Sequence, residues 1–141
     1  MVLLKVKKLR EDAKLPYKKH KGDAGLDLYT IEDIELEPNE IKVVSTGIAI
    51  EIPRGYFGLI KDRSSLSMKG LHVLAGVIDE NYRGEIKIVL CNLSKEPLRI
   101  DKYSRIAQLI IIPYLSVYPI EYDELDQTDR GANGFGSTGT K

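Results

Sequence analysis

Tryptophan is absent from the 141 residues, cysteine occurs once, and histidine, methionine and phenylalanine occur twice each. A lone Cys91 cannot make an intrachain disulfide, which is compatible with a reducing cytosol and a cytoplasmic or otherwise intracellular protein. Set within an apolar run, it reads as a small buried hydrophobe. Excess charge of either sign is also missing, with Lys plus Arg and Asp plus Glu at 21 each. Without a global field there is no sign of a nucleic acid or membrane partner, and any phosphate site must be built locally. No long hydrophobic run exists. The opening Met1-Val-Leu-Leu breaks at Lys5 and reads neither as a secretory signal nor as a membrane span. Internal repeats and long helical periodicity are lacking as well.

What is present is an ordinary hydrophobic content of 43%, with the aromatics mostly Tyr. The length predicts one domain, large enough to bury roughly two-thirds of its unfolded surface. Val2 to Leu9 reads as an opening strand, and Glu11 to Lys21, with Pro16, as a surface loop. Leu26 and Leu28 mark a short strand, and Ile31, Ile34 and Leu36 lead into the turn Glu37-Pro-Asn-Glu40. Ile41 to Ile52 is β-branched and broken at Gly47, and Tyr56 to Ile60 is another strand. The runs Val73 to Ile78 and Ile86 to Cys91 flank a polar turn closed by Gly84 and predict a β-hairpin whose first arm is buried. Leu98 to Ile100 follows, and Arg105 to Tyr118 is the longest apolar stretch, with Pro113 and Pro119 arguing against a helix. Short strands about every ten residues predict an all-β sandwich or barrel, of which the jelly roll is one form. Residues 1–128 form the expected core. Residues 129–141, with glycines at 131, 134, 136 and 139, form an arm too poor in apolar side chains to offset its ordering entropy and expected to be mobile.

Several positions carry chemistry. Asp79 is the first charged residue after an apolar strand, where a rigid, partly solvated carboxylate suits a general base; equally it could simply start the turn through its own backbone. Arg63-Ser64-Ser65 combines a guanidinium fork with two short donors, a phosphate contact or a solvated turn. Asp27 could support a hydrated cation or stand exposed on its strand. Gln108, three residues after Arg105, needs a partner in a structural network or in a ligand. In the tail, Arg130, Ser137 and Thr138 offer a charge and two hydroxyls amid backbone N–H groups able to wrap an anion, and Phe135 is left without cover. It is not a P-loop, since no Gly-Lys-Ser/Thr follows a strand.

In order along the chain stand Ala-Gly-Leu-Asp-Leu (24–28), Arg-Ser-Ser-Leu-Ser-Met-Lys-Gly (63–70), Gly-Val-Ile-Asp-Glu-Asn-Tyr-Arg-Gly (76–84), Arg-Ile-Ala-Gln-Leu-Ile (105–110) and Arg-Gly-Ala-Asn-Gly-Phe-Gly-Ser-Thr-Gly (130–139). Together they resemble the trimeric dUTPase family. The resemblance implies a jelly-roll-like β subunit, a homotrimer with sites at subunit interfaces, and hydrolysis of dUTP to dUMP and pyrophosphate with Mg²⁺. By resemblance, Asp79 activates the water that attacks the α-phosphorus, and Asp27 reaches a phosphate-borne Mg²⁺ through water. Arg63, Ser64, Gln108, Arg130, Ser137 and Thr138 then hold the phosphates, and Ser65 and Gly136 also contact the substrate. Tyr82 packs under the deoxyribose, and Phe135 stacks on uracil as the arm closes. The backbone of Gly76, Val77 and Ile78, with Lys87, reads the base.

Some positions depart from the commoner pattern. Asp62 precedes Arg63 where Gly or Pro is more usual, Ser65 replaces a common Gly, Asn81 a frequent Asp, and Val73 stands where some members place an Asn on uracil. Ser65 leans towards the related dCTP deaminases or bifunctional deaminase–diphosphatases, which use a Glu near the base and lack this glycine-rich tail. A non-catalytic nucleotide sensor would be signalled by loss of Asp79 or of the tail, and both are present.

Overall fold

The computed structural model describes residues 2–140; Met1 and Lys141, the outer ends of the opening run and of the arm, lie outside them. The strands are β1 (Lys5–Lys8), β2 (Leu26–Tyr29), β3 (Ile34–Leu36), β4 (Ile41–Ser45), β5 (Ile48–Glu51) and β6 (Tyr56–Lys61). One helical turn, α1 (Ser64–Ser67), precedes β7 (Leu71–Ala75), β8 (Val77–Ile78), β9 (Lys87–Asn92), β10 (Leu98–Ile100) and β11 (Arg105–Pro113). Alternation explains the short strands: β3 buries Ile34 and Leu36 around an exposed Glu35, and β9 buries Ile88 and Leu90 while Lys87 faces out.

Every strand pairing is antiparallel. A four-stranded sheet in the order β2-β11-β6-β8 and a three-stranded sheet β4-β9-β7 are joined by the pairs β1-β5 and β3-β10. Leu28, Val44, Ile48, Ile86, Ile106 and Leu109 pack into one core between them. Asn92, fully buried, has its amide satisfied: Nδ2 donates to the carbonyls of Leu36 (3.0 Å) and Glu96 (2.8 Å), and Oδ1 accepts from the Ser94 N–H and hydroxyl. Among the described residues, no helix is long and apolar enough to cross a membrane.

The all-β expectation stands, and Cys91 is buried as expected. Within residues 63–70, Ser64–Ser67 turns once as a helix. The longest apolar stretch is strand only as far as Pro113, where β6 runs out of partners at Tyr56. Two expectations are corrected. The opening strand occupies only Lys5–Lys8, because it pairs solely with the four residues of β5. The predicted hairpin is the largest change. Its first arm divides at Gly76: β7 pairs with β9, but β8 leaves that sheet and pairs with β6 in the other. That first arm is also not uniformly buried, because Val73 is covered while Leu74 and Val77 are exposed.

Candidate active site

Asp27 lies in the middle of a compact polar cluster. It sits on β2 opposite Gln108 of β11, and backbone bonds with Tyr17 (2.9 and 2.7 Å) pin its main chain. Oδ1 meets Arg63 Nε at 3.3 Å and Oδ2 meets Arg105 Nη1 at 3.3 Å. Arg63 Nη1 also donates to the Arg105 carbonyl at 3.0 Å, and the Arg105 guanidinium lies 5.4 Å from the centre of the Tyr17 ring. Gln108 Nε2 donates to the Asp62 carbonyl at 2.7 Å, so the Gln108 amide is satisfied by a structural partner in the free chain. A side chain at position 25 would displace the Gln108 amide, because a Cβ there would fall 2.2 Å from Gln108 Oε1. Ser64 and Ser65 stand exposed on α1, directly after Arg63. Two guanidinium groups held by one carboxylate form an arrangement chemically suited to phosphate oxygens.

Beside this cluster, the Asp62 carboxylate accepts the Val73 N–H at 2.7 Å and lies 2.7 Å from His72 Nδ1. Partial burial pushes this carboxyl up, but the His72 and Val73 hydrogen bonds and the charges of His72 and Lys61 outweigh it, leaving the group below its ordinary value.

A second cluster surrounds Asp79. Val77, Ile78, Asp79, Tyr82, Glu85 and Lys87 line a cleft of about 210 Å³. That is below the roughly 300–1,000 Å³ of a whole small-molecule site, so a nucleotide's phosphates would have to extend beyond it. The turn is set by the Tyr82 N–H bonding to the Asp79 carbonyl (3.1 Å) and the Tyr82 hydroxyl to the Glu85 carbonyl (2.8 Å). The Tyr82 ring lies across Gly84, where a Cβ would meet the phenol oxygen at 2.5 Å. Gly76 is held through its carbonyl by the Ile60 N–H at 2.9 Å. Asp79 itself is exposed in the single chain rather than partly shielded, because β8 is only two residues long and nothing on the described chain covers its end. Next to it, Glu80 accepts from the Tyr114 hydroxyl and from the Gly55 N–H (3.4 Å). The Tyr114 bond, with help from Gly55, Arg54 and Arg83, holds the Glu80 carboxyl below its ordinary value and raises the Tyr114 phenol.

One chain does not unite the two clusters. Ile78 stands opposite Gly58, which puts Asp79 at the Phe57 end of β6, whereas Gln108 stands opposite Lys61 at the other end. From Phe57 to Arg63 is about 20 Å at roughly 3.3 Å per strand residue.

The dUTPase family model matches residues 11–139. The chain belongs to the dUTPase family. It is 51% identical to a deoxyuridine 5'-triphosphate nucleotidohydrolase of Hydrogenobaculum sp., an alignment covering 98% of this chain and 99% of the relative. It is 46% identical to that of Clostridioides difficile, covering 99% of both. Among solved structures, the dUTPase of Staphylococcus bacteriophage 80alpha with dUpNHpp superposes with a TM-score of 0.91 at 34% identity, covering 99% of this chain and 100% of that one. A variant dUTPase of S. aureus phage phi11, in which a structural Mg(II) ion is coordinated, matches at a TM-score of 0.83 and 30% identity over 89% of this chain and 100% of that one.

The third group of residues expected of a dUTPase, Arg130, Phe135, Gly136, Ser137 and Thr138, meets neither cluster within the chain. Beyond Tyr114 no strand forms among the described residues, and hydrogen bonds such as Arg130 Nε to the Asn133 carbonyl (2.8 Å) stay within the tail. Phe135 is wholly exposed, with φ 52. Two residues went unassigned in the sequence. Arg105 was visible as a partner of Gln108 in one motif, and its contact with Asp27 needed the β2–β11 register. His72 carried no signal, since its only distinguishing contact is with Asp62, ten residues earlier.

No group of three or more His, Cys, Asp or Glu side chains able to cage a metal occurs among the described residues. Asp27 is the carboxylate at the centre of the first cluster, and each of its oxygens already meets a guanidinium. A single carboxylate fits a Mg²⁺ that would be held mainly by a ligand's phosphate oxygens, with Asp27 as its protein partner.

Proposed function

We propose that the chain is a dUTP diphosphatase, and it hydrolyses dUTP to dUMP and pyrophosphate. The observation that carries this is the match along essentially the whole chain to deoxyuridine 5'-triphosphate nucleotidohydrolases. The residue roles are our own reading. In it, the cleft of Val77, Ile78, Tyr82 and Lys87 takes the uracil and deoxyribose, with main-chain N–H and C=O groups of Gly76 to Ile78 reading the base edge. Asp79, on the rim of the same cleft, accepts the proton of a water whose oxygen bonds to the α-phosphorus. The bond from that phosphorus to the bridging oxygen breaks, and its electron pair leaves with pyrophosphate. Arg63, Ser64, Ser65 and Gln108, oriented about Asp27, offset the charge growing on the phosphates. Mg²⁺ bound to the triphosphate supplies further positive charge there.

The working unit we propose is a homotrimer. Two observations favour association: the Asp79 and Asp27 clusters lie at opposite ends of β6, so a second copy is needed to bring them to one nucleotide. The segment after β11 also exposes Leu115, Val117, Tyr118, Ile120 and Leu125, more apolar surface than a strand-free stretch of a monomer normally shows to water. In the same reading the arm from residue 129 closes over a completed site, with Phe135 on the uracil and Arg130, Gly136, Ser137 and Thr138 on the phosphates.

The test is to incubate the protein with Mg²⁺ and either dUTP or dCTP and to assay pyrophosphate and ammonia. Pyrophosphate from dUTP alone is expected. Ammonia from dCTP would overturn the reading in favour of a deaminase of this fold, and binding with neither product would leave a sensor.

A further inference from the structure

Asp62 lies between the end of β6 at Lys61 and Arg63, and its carboxylate does not join the Asp27 cluster. It reaches across to β7, where Oδ1 takes the Val73 N–H at 2.7 Å and Oδ2 lies 2.7 Å from His72 Nδ1. Oδ2 also accepts the Ser67 hydroxyl at 3.4 Å, from the last residue of α1. The main-chain carbonyl of the same residue takes Gln108 Nε2 at 2.7 Å. One residue therefore ties together the end of β6, the α1 turn, the start of β7 and the Gln108 side chain of β11. Arg63 carries a long side chain whose ordering costs entropy, and a backbone fixed on both sides lowers the cost of presenting it.

We propose that Asp62 is a positioning residue for the phosphate-binding half of the site: its carboxylate staples the Arg63–Gly70 turn to β7 while its carbonyl aims the Gln108 amide, so that Arg63 and Gln108 stand ready for the triphosphate. This rests on the reading of Arg63 and Gln108 as phosphate ligands. The staple acts on phosphate affinity, not on the base cleft, because β7 ends at Ala75 before the cleft residues begin.

The experiment uses the full-length enzyme with Mg²⁺ and measures affinities for dUpNHpp, an imido analogue of dUTP, and for dUMP, alongside kcat and KM for dUTP. Asp62→Ala is expected to weaken dUpNHpp by about tenfold or more, the scale of a lost charge-assisted hydrogen bond. It should change dUMP affinity far less, and raise KM more than it lowers kcat. Asp62→Asn, which keeps an oxygen for the Val73 N–H, should recover most of the loss. Equal weakening of both ligands would overturn the proposal, as a general structural defect would produce it. Wild-type dUpNHpp affinity in Asp62→Ala, with Arg63→Ala impaired, would also overturn it and leave the phosphate reading intact. Wild-type affinity in Arg63→Ala would overturn the underlying reading and the proposal with it. Should Asp62→Ala fail to fold, His72→Phe removes one carboxylate partner and should shift dUpNHpp affinity alone in the same direction; no shift overturns the staple.

Discussion

At Gly25 the backbone passes so close to β11 that a methyl group would sit 2.2 Å from Gln108 Oε1. Gly25→Ala should therefore push the Gln108 amide off the Asp62 carbonyl. We expect dUpNHpp affinity to fall by up to about tenfold, the upper range of one lost hydrogen bond, with the fold retained; isothermal titration would show it. Asp62 gives a pH signature. Its folded carboxyl lies below the ordinary 3.8, so between those two values the unfolded chain binds more protons and stability rises with pH. The contribution is complete above about pH 5 and fades as pH falls through the folded value. The melting-temperature gap between wild type and Asp62→Asn should accordingly narrow on acidification, and a widening gap would contradict the assignment. At this scale Asp79, singled out from its place after an apolar strand, lines one cleft with Tyr82 and Lys87, which entered through the family resemblance. The sequence was silent where chemistry depends on register, since the Asp27–Arg105 contact exists only because β2 and β11 pair as they do.

Most strands were legible because their apolar residues alternate and turn residues bracket them. The β7–β8 break was not. Val73 to Ile78 reads as one apolar run, and only the structure shows that Gly76 marks a change of sheet, with Val77 opposite Leu59 rather than continuing along β9. The run is apolar without being uniformly buried, Val73 covered but Leu74 and Val77 exposed, so burial was over-read from composition. The tail, expected from its glycines to be a mobile arm, forms no strand among the described residues. If it serves as a lid, a chain ending at residue 129 should remain folded, with an unchanged melting temperature, and lose most dUTPase activity. Full activity in that truncated chain would rule the lid out.

Over the whole molecule, the two polar clusters at opposite ends of β6 are the feature no motif list could reveal, because motifs carry order along the chain and not distance. If copies complete one another's sites, mixing two inactive variants before refolding should restore activity. Asp79→Asn combined with the chain ending at residue 129 would form hybrid assemblies in which some sites hold an intact base, phosphate cluster and tail. No recovery, with hybrids demonstrated by mass, would place each site within one subunit. The most direct measurement concerns Asp79 itself. Single-turnover hydrolysis of dUTP by Asp79→Asn, beside dUpNHpp affinity in the same preparation, separates chemistry from binding. We predict turnover lower by about 10²–10⁴-fold, the contribution of a positioned general base, with affinity close to wild type. Near-normal turnover would contradict the central role given to this carboxylate.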